Sequence, residues 1–330
     1  MKIFYCSCIS LLLLFSCKQE KASTDQETAT DVFAFKDFNE VKDAVLSSGK
    51  LFRIENYESN FVSARNIDVW IPSDYSNQKE YATLYMHDGQ MLFDSTTTWN
   101  KQEWKVDETI SRLVKEGEIK PTIVVGMWNV NEDRHTDYFP QKPWEQLSDS
   151  TRQAVIQENY AQSESLFRKD INSDNYIKFI TQEVLPVVEK NFNVSNNWKD
   201  RAVAGSSMGG LISWYTVLEK PELFGTAICM STHWPGAMPV ENNPIPEAFF
   251  SYIKENLPVE SAQHKFYFDF GTETLDELYP PFEDDVNQVF MSSNYDKSSF
   301  RNLKFKGTDH SEKSWNDRLH IPLQFALAPN

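Results

Sequence analysis

The chain has 330 residues, 14% of them aromatic and only 11 of them glycine, and its 48 acidic against 32 basic side chains give a net charge of −16. So aromatic a chain is not intrinsically disordered, and a glycine content about half of the usual ~7% excludes collagenous and low-complexity proteins. The negative charge argues against a nucleic-acid partner, because an acidic surface repels the phosphate backbone.

Residues 1–16 are predicted to be a signal peptide. Lys2 provides a positive end, and the apolar run over residues 3–15 is shorter than the ~20 residues that a membrane-spanning helix needs. Ser16 directly precedes Cys17, an order that resembles a bacterial lipoprotein signal. We therefore expect export to the cell envelope, with Cys17 lipidated as the membrane anchor and residues 17–34 as a flexible tether. The alternative is a plain secretory signal that is cut elsewhere.

After removal of this segment one cysteine remains, Cys229, within an apolar run. A single cysteine allows no disulfide framework within the chain. We expect Cys229 to be a buried packing thiol.

Residues 35–330 alternate strand-like and helix-like segments, which predicts an α/β domain. We expect about eight strands in a mostly parallel central sheet with helices on both faces. The predicted strands span residues 51–57, 66–71, 82–87, 122–127, 201–204, 225–230, 265–270 and 303–305. Apolar residues at helical spacing predict helices over residues 177–188, with a kink at Pro186, and over residues 211–218 and 315–326.

One polar segment, residues 138–175, is much longer than an ordinary connection. It contains a predicted short helix near residues 149–162. We interpret the segment as an insertion over one end of the sheet, either a lid or a surface loop without a role.

Residues 205–210 (GSSMGG) match the G-x-S-x-G pattern, and they lie between a short predicted strand and a predicted helix. That context is the one a nucleophile elbow requires, with the serine in a strained turn and small residues on either side of it. Ser207 is therefore the predicted nucleophile. The backbone N–H of Met208, at the start of the helix, is a predicted oxyanion donor.

A serine nucleophile needs a histidine base, which follows it in the chain in folds that carry this elbow. His87 and His135 precede Ser207, His264 opens a strand and is expected to be exposed, and His320 lies within the last predicted helix. His310 follows the last predicted strand in a polar loop, directly before that helix, and is the predicted general base.

The acid of such a triad is expected in residues 271–277, after the next-to-last strand. It would hold the imidazole tautomer and stabilise the imidazolium. Glu277 lies too far into the following predicted helix. Spacing alone leaves Asp276 and Glu273 equally placed, and either could be a helix-capping residue instead.

The loop after the third strand is expected to complete the oxyanion hole. Gly89 would let the backbone approach the substrate, and the N–H of Gln90 would be the second donor beside that of Met208. Further side chains follow strands at the same edge of the sheet and are predicted to line a substrate pocket, although ordinary structural roles are equally expected of them. They are His233, Trp234, Arg134 and Tyr138.

At these residues the chain resembles a known family. Residues 81–94 (YATLYMHDGQMLFD), the elbow, and residues 309–315 (DHSEKSW) are similar to the Putative esterase family of α/β-hydrolases, over about residues 50–328. That family includes esterase D, feruloyl and acetyl xylan esterases, siderophore trilactone esterases and mycolyltransferases. The resemblance implies an α/β-hydrolase fold and a Ser–acid–His triad for acyl-ester chemistry without metal. Relatives share a Gly-Thr-x-Thr-Leu-Asp stretch with a variable third position, which favours Asp276 over Glu273.

The sequence therefore predicts a serine carboxylic-ester hydrolase that works through an acyl-enzyme. No metal or cofactor is expected, because no zincin-like ligand spacing, P-loop or dinucleotide fingerprint is present. The expected substrate is an acyl or aryl ester of a sugar or another small alcohol, although the long insertion prevents transfer of a substrate from any one subfamily. The alternatives are an acyltransferase with the same triad and a catalytically idle glycan-binding lipoprotein.

Overall fold

The structure is a computed structural model, and it describes Met1 and residues 35–162, 167, 169–237, 241–259 and 263–329, without the side chains of residues 160–162. The predicted signal peptide, Cys17 and the tether thus lie outside the described residues, Met1 apart. The chain divides into two compact units, and the second, Phe35–Asn330, contains the sheet and the predicted site.

In the described residues of this unit, nine strands form one central sheet, in the order β1-β2-β3-β5-β4-β6-β7-β8-β9. Strands β1 to β3 and the β3–β5 pair are antiparallel, and all pairs from β5 to β9 are parallel. The mostly parallel α/β sheet expected from the sequence is confirmed. The strands are β1 (Asn39–Glu40), β2 (Lys50–Tyr57), β3 (Arg65–Ile71), β4 (Ala82–His87), β5 (Thr122–Met127), β6 (Arg201–Ser206), β7 (Thr226–Met230), β8 (Lys265–Phe270) and β9 (Phe300–Lys304).

Helices cover both faces of the sheet, because alternate side chains of its central strands point to opposite sides. Leu84 and Met86 of β4 join the large apolar cluster formed with α1, α10 and α11. Tyr85, between them, packs against Phe224 on the side of α7. The α-helices are α1 (Val106–Lys115), α2 (Arg134–Tyr138), α3 (Gln141–Gln146), α4 (Asp149–Gln162), α5 (Ser173–Lys178), α6 (Leu185–Asn191), α7 (Met208–Glu219), α8 (Ile245–Asn256), α9 (Glu283–Ser292), α10 (Glu312–Arg318) and α11 (His320–Leu327).

Two predicted helices are less regular than their apolar pattern indicates. Between α5 and α6 the chain forms a π-helical segment, Phe179–Val184, and Pro186 lies in the first turn of α6, directly after that segment. The helix predicted over residues 315–326 corresponds to two helices, α10 and α11, which meet at Leu319. No helix in the described residues is long and apolar enough to span a membrane.

The long insertion contains α3 and α4, and the helix expected near residues 149–162 is present. Its first part is fastened to α7, since the N–H of Lys142 donates to the hydroxyl of Tyr215 at 3.2 Å. The rings of Trp144 and Phe139 pack edge to face with centroids 5.6 Å apart. The ring of Phe139 also packs against that of Phe249 of α8, with centroids 5.3 Å apart. This first part of the insertion is therefore packed against α7 and α8. A role of the insertion as a lid stays a prediction.

Candidate active site

Ser207 lies in the tight turn between β6 and α7, as the motif predicts. Its φ of 58° and ψ of −120° fall in a region that non-glycine residues rarely occupy. The N–H of Ser207 donates to the carbonyl of Met230 at 2.9 Å, which fastens the turn to the end of β7. A Cβ at Gly205 would come within 2.8 Å of the carbonyl of Gly209, so a side chain there is incompatible with the turn. The strained serine therefore depends on a glycine two residues before it.

The loops after β8 and β9 bring Asp276 and His310 together. Nδ1 of His310 lies 2.5 Å from Oδ1 of Asp276, and the Asp276 carboxylate is completely buried. Glu273, the other acid considered from the sequence, is exposed, and its backbone N–H donates to the carbonyl of Thr308. The structure thus brings Asp276, and not Glu273, to the histidine.

The close approach of these two loops depends on Gly271. A Cβ at this position would lie 2.2 Å from the carbonyl oxygen of Thr308 and 2.9 Å from Oδ2 of Asp276. The N–H of Gly271 instead donates to that carboxylate oxygen at 2.5 Å, and the N–H of Thr272 donates to the Thr308 carbonyl at 3.0 Å. The backbone of the acid loop therefore lies directly against the loop that carries His310.

A buried polar network supports Asp276 from behind. Its Oδ2 accepts a hydrogen bond from Oγ of Ser231 at 2.7 Å, and this oxygen of Ser231 accepts from Trp315 Nε1 and Arg318 Nη2, each at 3.0 Å. Arg318 also binds Asp269 at 3.0 Å. Burial raises the pKa of Asp269, while the guanidinium of Arg318 acts in the opposite direction. Sequence reasoning missed Ser231, Arg318 and Asp269, because none belongs to a motif.

Tyr279 is a second group that the sequence did not indicate. It lies three residues after Asp276, it is 1% exposed, and its hydroxyl lies 3.0 Å from Nδ1 of His233. Its ring lies edge-on to that of His310, with ring centroids 6.0 Å apart, and burial raises its pKa well above the usual value. Tyr279 therefore contacts the predicted base and His233.

The predicted oxyanion loop follows β4. Asp88 has a left-handed φ of 57°, and Gly89–Met91 form a single 3-10 turn. A Cβ on Gly89 would lie 2.7 Å from the carbonyl carbon of Gly126, so this glycine lets the loop lie against β5. The side chain of Gln90 accepts a hydrogen bond from the N–H of Asn129 at 3.2 Å. Both features fix the backbone that carries the predicted donor.

Arg134 and Tyr138, predicted to line the pocket, hold this loop. Arg134 forms two hydrogen bonds with Asp88, from Nε at 2.9 Å and from Nη2 at 2.7 Å, and it keeps the pKa of that carboxyl below its usual value despite burial. Tyr138 is fully buried, and its hydroxyl accepts from the N–H of Asp88 at 3.2 Å. Burial lowers the pKa of the adjacent His87 to about 3.

The other predicted pocket residues follow β7. His233 is half-buried between Tyr279 and the carbonyl of Ala237, which lies 3.1 Å from its Nε2. Trp234 is 4% exposed and packs against Phe250 and other aromatic rings of the core. Contact of either side chain with a substrate stays a prediction.

His264 differs from its prediction. The sequence indicates an exposed side chain at the start of a strand, whereas His264 is 4% exposed and stacks on Trp198 with ring centroids 4.4 Å apart. Its Nε2 lies 2.8 Å from the carbonyl of Pro221. Cys229 is buried as expected, and its thiol pKa is raised by burial. Among the residues that the structure describes, no three His, Cys, Asp or Glu side chains are grouped so that they could hold a metal ion.

A mostly parallel sheet with a serine elbow after a central strand, and an acid–histidine pair on the loops of two later strands, defines an α/β-hydrolase. The model of the Putative esterase family matches residues 59–320. The chain therefore belongs to this esterase family, as its resemblance implies.

Sequence relatives and solved structures are consistent with this assignment. An endo-1,4-beta-xylanase/feruloyl esterase of Xylanibacter ruminicola is 23% identical over 64% of this chain, and the uncharacterized protein YbbA of Bacillus subtilis is 24% identical over 49% of it. The matched regions span 24% and 54% of those two proteins.

Among solved structures, the BES protein from Bacillus cereus has a TM-score of 0.60 at 18% identity, covering 88% of this chain and 99% of that one. The enterobactin esterase FES from Shigella flexneri has a TM-score of 0.58 at 16% identity, covering 85% and 59%. A ferulic acid esterase from Anaeromyces mucronatus has a TM-score of 0.54 at 18% identity, covering 89% and 98%. At these identities the structures establish the fold.

Proposed function

We propose that the protein is a carboxylic-ester hydrolase in which Ser207, His310 and Asp276 form a catalytic triad. The observation that carries the proposal is the 2.5 Å contact between His310 and a completely buried Asp276, at the same edge of the sheet as a strained serine elbow. A buried carboxylate that faces Nδ1 selects the tautomer with the proton on that nitrogen. Nε2 of His310 is then free to act as a base.

In the acylation step, Oγ of Ser207 attacks the ester carbonyl carbon while Nε2 of His310 takes its proton. The negative charge on the carbonyl oxygen is stabilised by the N–H groups of Met208 and Gln90, with the N-terminus of α7 adding its favourable dipole. Collapse of the intermediate breaks the bond to the alcohol oxygen, and His310 gives its proton to the departing alcohol.

In the deacylation step, water attacks the acyl-enzyme and gives one proton to His310. Collapse of the second intermediate breaks the carbon–Oγ bond, His310 returns the proton to Ser207, and the carboxylic acid leaves. An alcohol that replaced water here would make the protein an acyltransferase. Partition of the acyl group between the two acceptors distinguishes these activities.

An exposed indole supports a substrate with a ring, such as a sugar or a phenyl group. Trp99 is 84% exposed, and the neighbouring Asn100 donates to Glu312 at 2.8 Å, two residues after His310. Close by, Trp104 packs on Trp315. An exposed indole next in the chain to a residue that is bound to Glu312 is available for stacking against a planar or pyranose ring. We therefore propose an acyl or aryl ester of a sugar, or of another ring-bearing alcohol, as the substrate.

The first experiment compares hydrolysis of short-chain nitrophenyl esters by the wild type and Ser207→Ala. We expect a loss of at least about 1,000-fold in kcat/KM, because the nucleophile is removed. Equal rates would reject the esterase mechanism, and retained binding of glycans without hydrolysis by the wild type would favour an idle binding protein. Trp99→Ala should raise KM for acetylated or feruloylated sugars and leave the KM for ethyl acetate, which has no ring, unaffected, with Trp99→Phe as the ring-retaining control.

We also propose that Cys17 carries a lipid anchor that holds the enzyme at the cell envelope, on the basis of the order Ser16–Cys17 after a short apolar run. Expression in a bacterial host with labelled palmitate provides the test. The wild type should incorporate label and sediment with membranes, whereas Cys17→Ala should do neither. Incorporation by both proteins would reject the assignment.

A further inference from the structure

Ser231 is a buried serine beside the triad that the mechanism above does not use. It directly follows β7, it is completely buried, and its φ of 43° lies in the left-handed region. Glycine would adopt this backbone conformation without strain, whereas a serine is strained in it. A strained residue of this kind indicates a use for its side chain, here a single hydroxyl group.

The direction of the Ser231 hydroxyl follows from its three partners. Trp315 Nε1 and Arg318 Nη2 each lie 3.0 Å from Oγ of Ser231, and both of these groups donate hydrogen bonds and cannot accept them. They occupy the two lone pairs of Oγ, so the serine proton is left for the third partner, Oδ2 of Asp276 at 2.7 Å. The hydroxyl of Ser231 therefore donates to the carboxylate of Asp276.

The two donors are themselves held in place. Arg318 is 3% exposed and binds the buried Asp269 at 3.0 Å, and the same carboxylate accepts from the N–H of Ser231 at 3.2 Å. Trp315 is 5% exposed, and its ring lies edge-on to that of His310 with centroids 5.0 Å apart. Buried hydrogen bonds thus connect Ser231 to β8 and α10 and fix its oxygen beside the predicted acid.

The bond from Ser231 restricts rotation of the Asp276 carboxylate. Oδ2 accepts from this hydroxyl and from the N–H of Gly271, while Oδ1 faces Nδ1 of His310 at 2.5 Å. Without the hydroxyl, the N–H of Gly271 alone would remain of these two donors to Oδ2. Hydrogen bonds to an ionised group are stronger than those between neutral groups, and a buried carboxylate depends on them.

From this geometry we propose that Ser231 is a positioning residue of the triad, which acts on the reaction through Asp276. Its hydroxyl holds the carboxylate in the orientation that keeps the proton on Nδ1 of His310, in acylation and in deacylation alike. Ser231 needs no contact with the ester in this role. The proposal rests on the esterase function proposed above, because it concerns the acid of that triad.

A double-mutant cycle between Ser231 and Asp276 tests this role. With nitrophenyl acetate as substrate, Ser231→Ala should lower kcat about 10-fold, the effect of one lost hydrogen bond to a charged group, and leave KM within about twofold. In the Asp276→Ala background the same substitution should lower kcat by less than about twofold, because the group through which Ser231 acts is absent. The rate of Ser207→Ala is subtracted as the background.

Two further variants serve as controls. Ser231→Gly also removes the hydroxyl but adopts a φ of 43° without strain, so it should show the same loss of kcat even if alanine impairs folding. Ser213→Ala removes another completely buried serine hydroxyl, which donates to the carbonyl of Gly209 at 2.7 Å. Its kcat should stay within about twofold of the wild type.

Equal fold losses from Ser231→Gly in the two backgrounds would overturn the proposal, since they would indicate a general structural effect. A wild-type kcat in Ser231→Gly would overturn it as well. Full activity of Ser207→Ala or of Asp276→Ala would instead reject the triad mechanism on which the proposal rests.

Discussion

The Asp276 carboxylate is surrounded by donors on both of its oxygens. Oδ1 faces Nδ1 of His310, and Oδ2 accepts from the Ser231 hydroxyl and the N–H of Gly271. An amide at this position would place an NH₂ group against donors on one side or the other. The site is therefore suited to an ionised carboxylate and not to its neutral isostere.

This arrangement predicts a large effect of Asp276→Asn on activity. The amide favours the wrong imidazole tautomer, as in other Ser–His–Asp hydrolases, so kcat for a nitrophenyl ester should fall about 1,000- to 10,000-fold. Glu273→Gln is the matched control, because Glu273 is an exposed carboxylate on the same loop, and its rate should stay within about twofold of the wild type. A large loss of kcat in Glu273→Gln, together with an active Asp276→Asn, would show that Glu273 is the acid of the triad and Asp276 is not.

At the scale of elements, the turn between β6 and α7 depends on glycine at only one of its two flanks. A Cβ at Gly205 would meet the backbone of Gly209 at 2.8 Å, whereas a Cβ at Gly209 would find its nearest neighbours at 3.6 Å, on His87, and 3.7 Å, on Asp88. The distances of 3.6 and 3.7 Å at Gly209 are ordinary van der Waals contacts. Gly205 is therefore sterically required. Gly209 lies in the first turn of α7, where alanine has a higher helix propensity than glycine.

We expect Gly205→Ala and Gly209→Ala to differ in stability. The first should lower the free energy of unfolding by about 2 kcal/mol or more, because neither backbone can move away without displacing Ser207. The second should leave it unchanged or raise it by up to about 1 kcal/mol. Urea unfolding of both variants measures the difference, and equal destabilisation would contradict the steric account.

The local elements could be predicted from the sequence, and their long-range partners could not. The elbow was found because its strand, turn and helix are adjacent in the chain. Ser231, by contrast, contacts Asp276 and Arg318 across 45 and 87 positions, and nothing in its own segment indicates these partners. For the same reason spacing left Asp276 and Glu273 equal, since the choice depends on which carboxylate the fold buries against His310.

Tertiary contacts also explain two of the local errors. His264 is buried because Trp198, 66 positions earlier in the sequence, stacks on it. Strand β9 begins at Phe300, three residues before its predicted start, because Phe300 stacks on Phe290 of α9 with centroids 4.5 Å apart. The polar residues near the start of β9 give no strand pattern in the sequence, and the ring that holds this end of the strand belongs to α9.

At the scale of the whole molecule, the topology brings the loops of the predicted site together. It also buries three histidines whose pKa values are lowered. Strands β4, β6, β7, β8 and β9 are neighbours and parallel, so the loops that follow them meet at one edge of the sheet. His87 and His233 lie on two of these loops or strand ends, and His135 lies on α2. Burial lowers the pKa of His87 to about 3 and that of each of the other two to about 4.

These shifts link stability to pH. A histidine is protonated in the unfolded chain below about pH 6.5, but each of these three stays neutral in the folded protein until about pH 4 or lower. The unfolded state therefore binds more protons, and the stability that each histidine contributes above pH 6.5 is lost as the pH falls. Asp107, whose pKa is raised by burial beside Glu108, acts in the opposite direction, and so do the buried Asp68, Asp137 and Asp269.

The contribution of one histidine can be isolated with His87→Asn, which keeps a polar partner for the hydroxyl of Tyr176, now 3.0 Å from Nδ1. The opposing carboxyl groups are common to both proteins and cancel in the comparison. Between pH 6 and 5 the free energy of unfolding of the wild type should fall more steeply than that of the variant, by about 1 kcal/mol per pH unit, because one proton fewer is taken up on unfolding of the variant. Urea titrations of both proteins at pH 7, 6 and 5 measure these slopes. Parallel curves would mean that His87 is already protonated in the folded protein at pH 5, and the low pKa assigned to its buried ring would then be wrong.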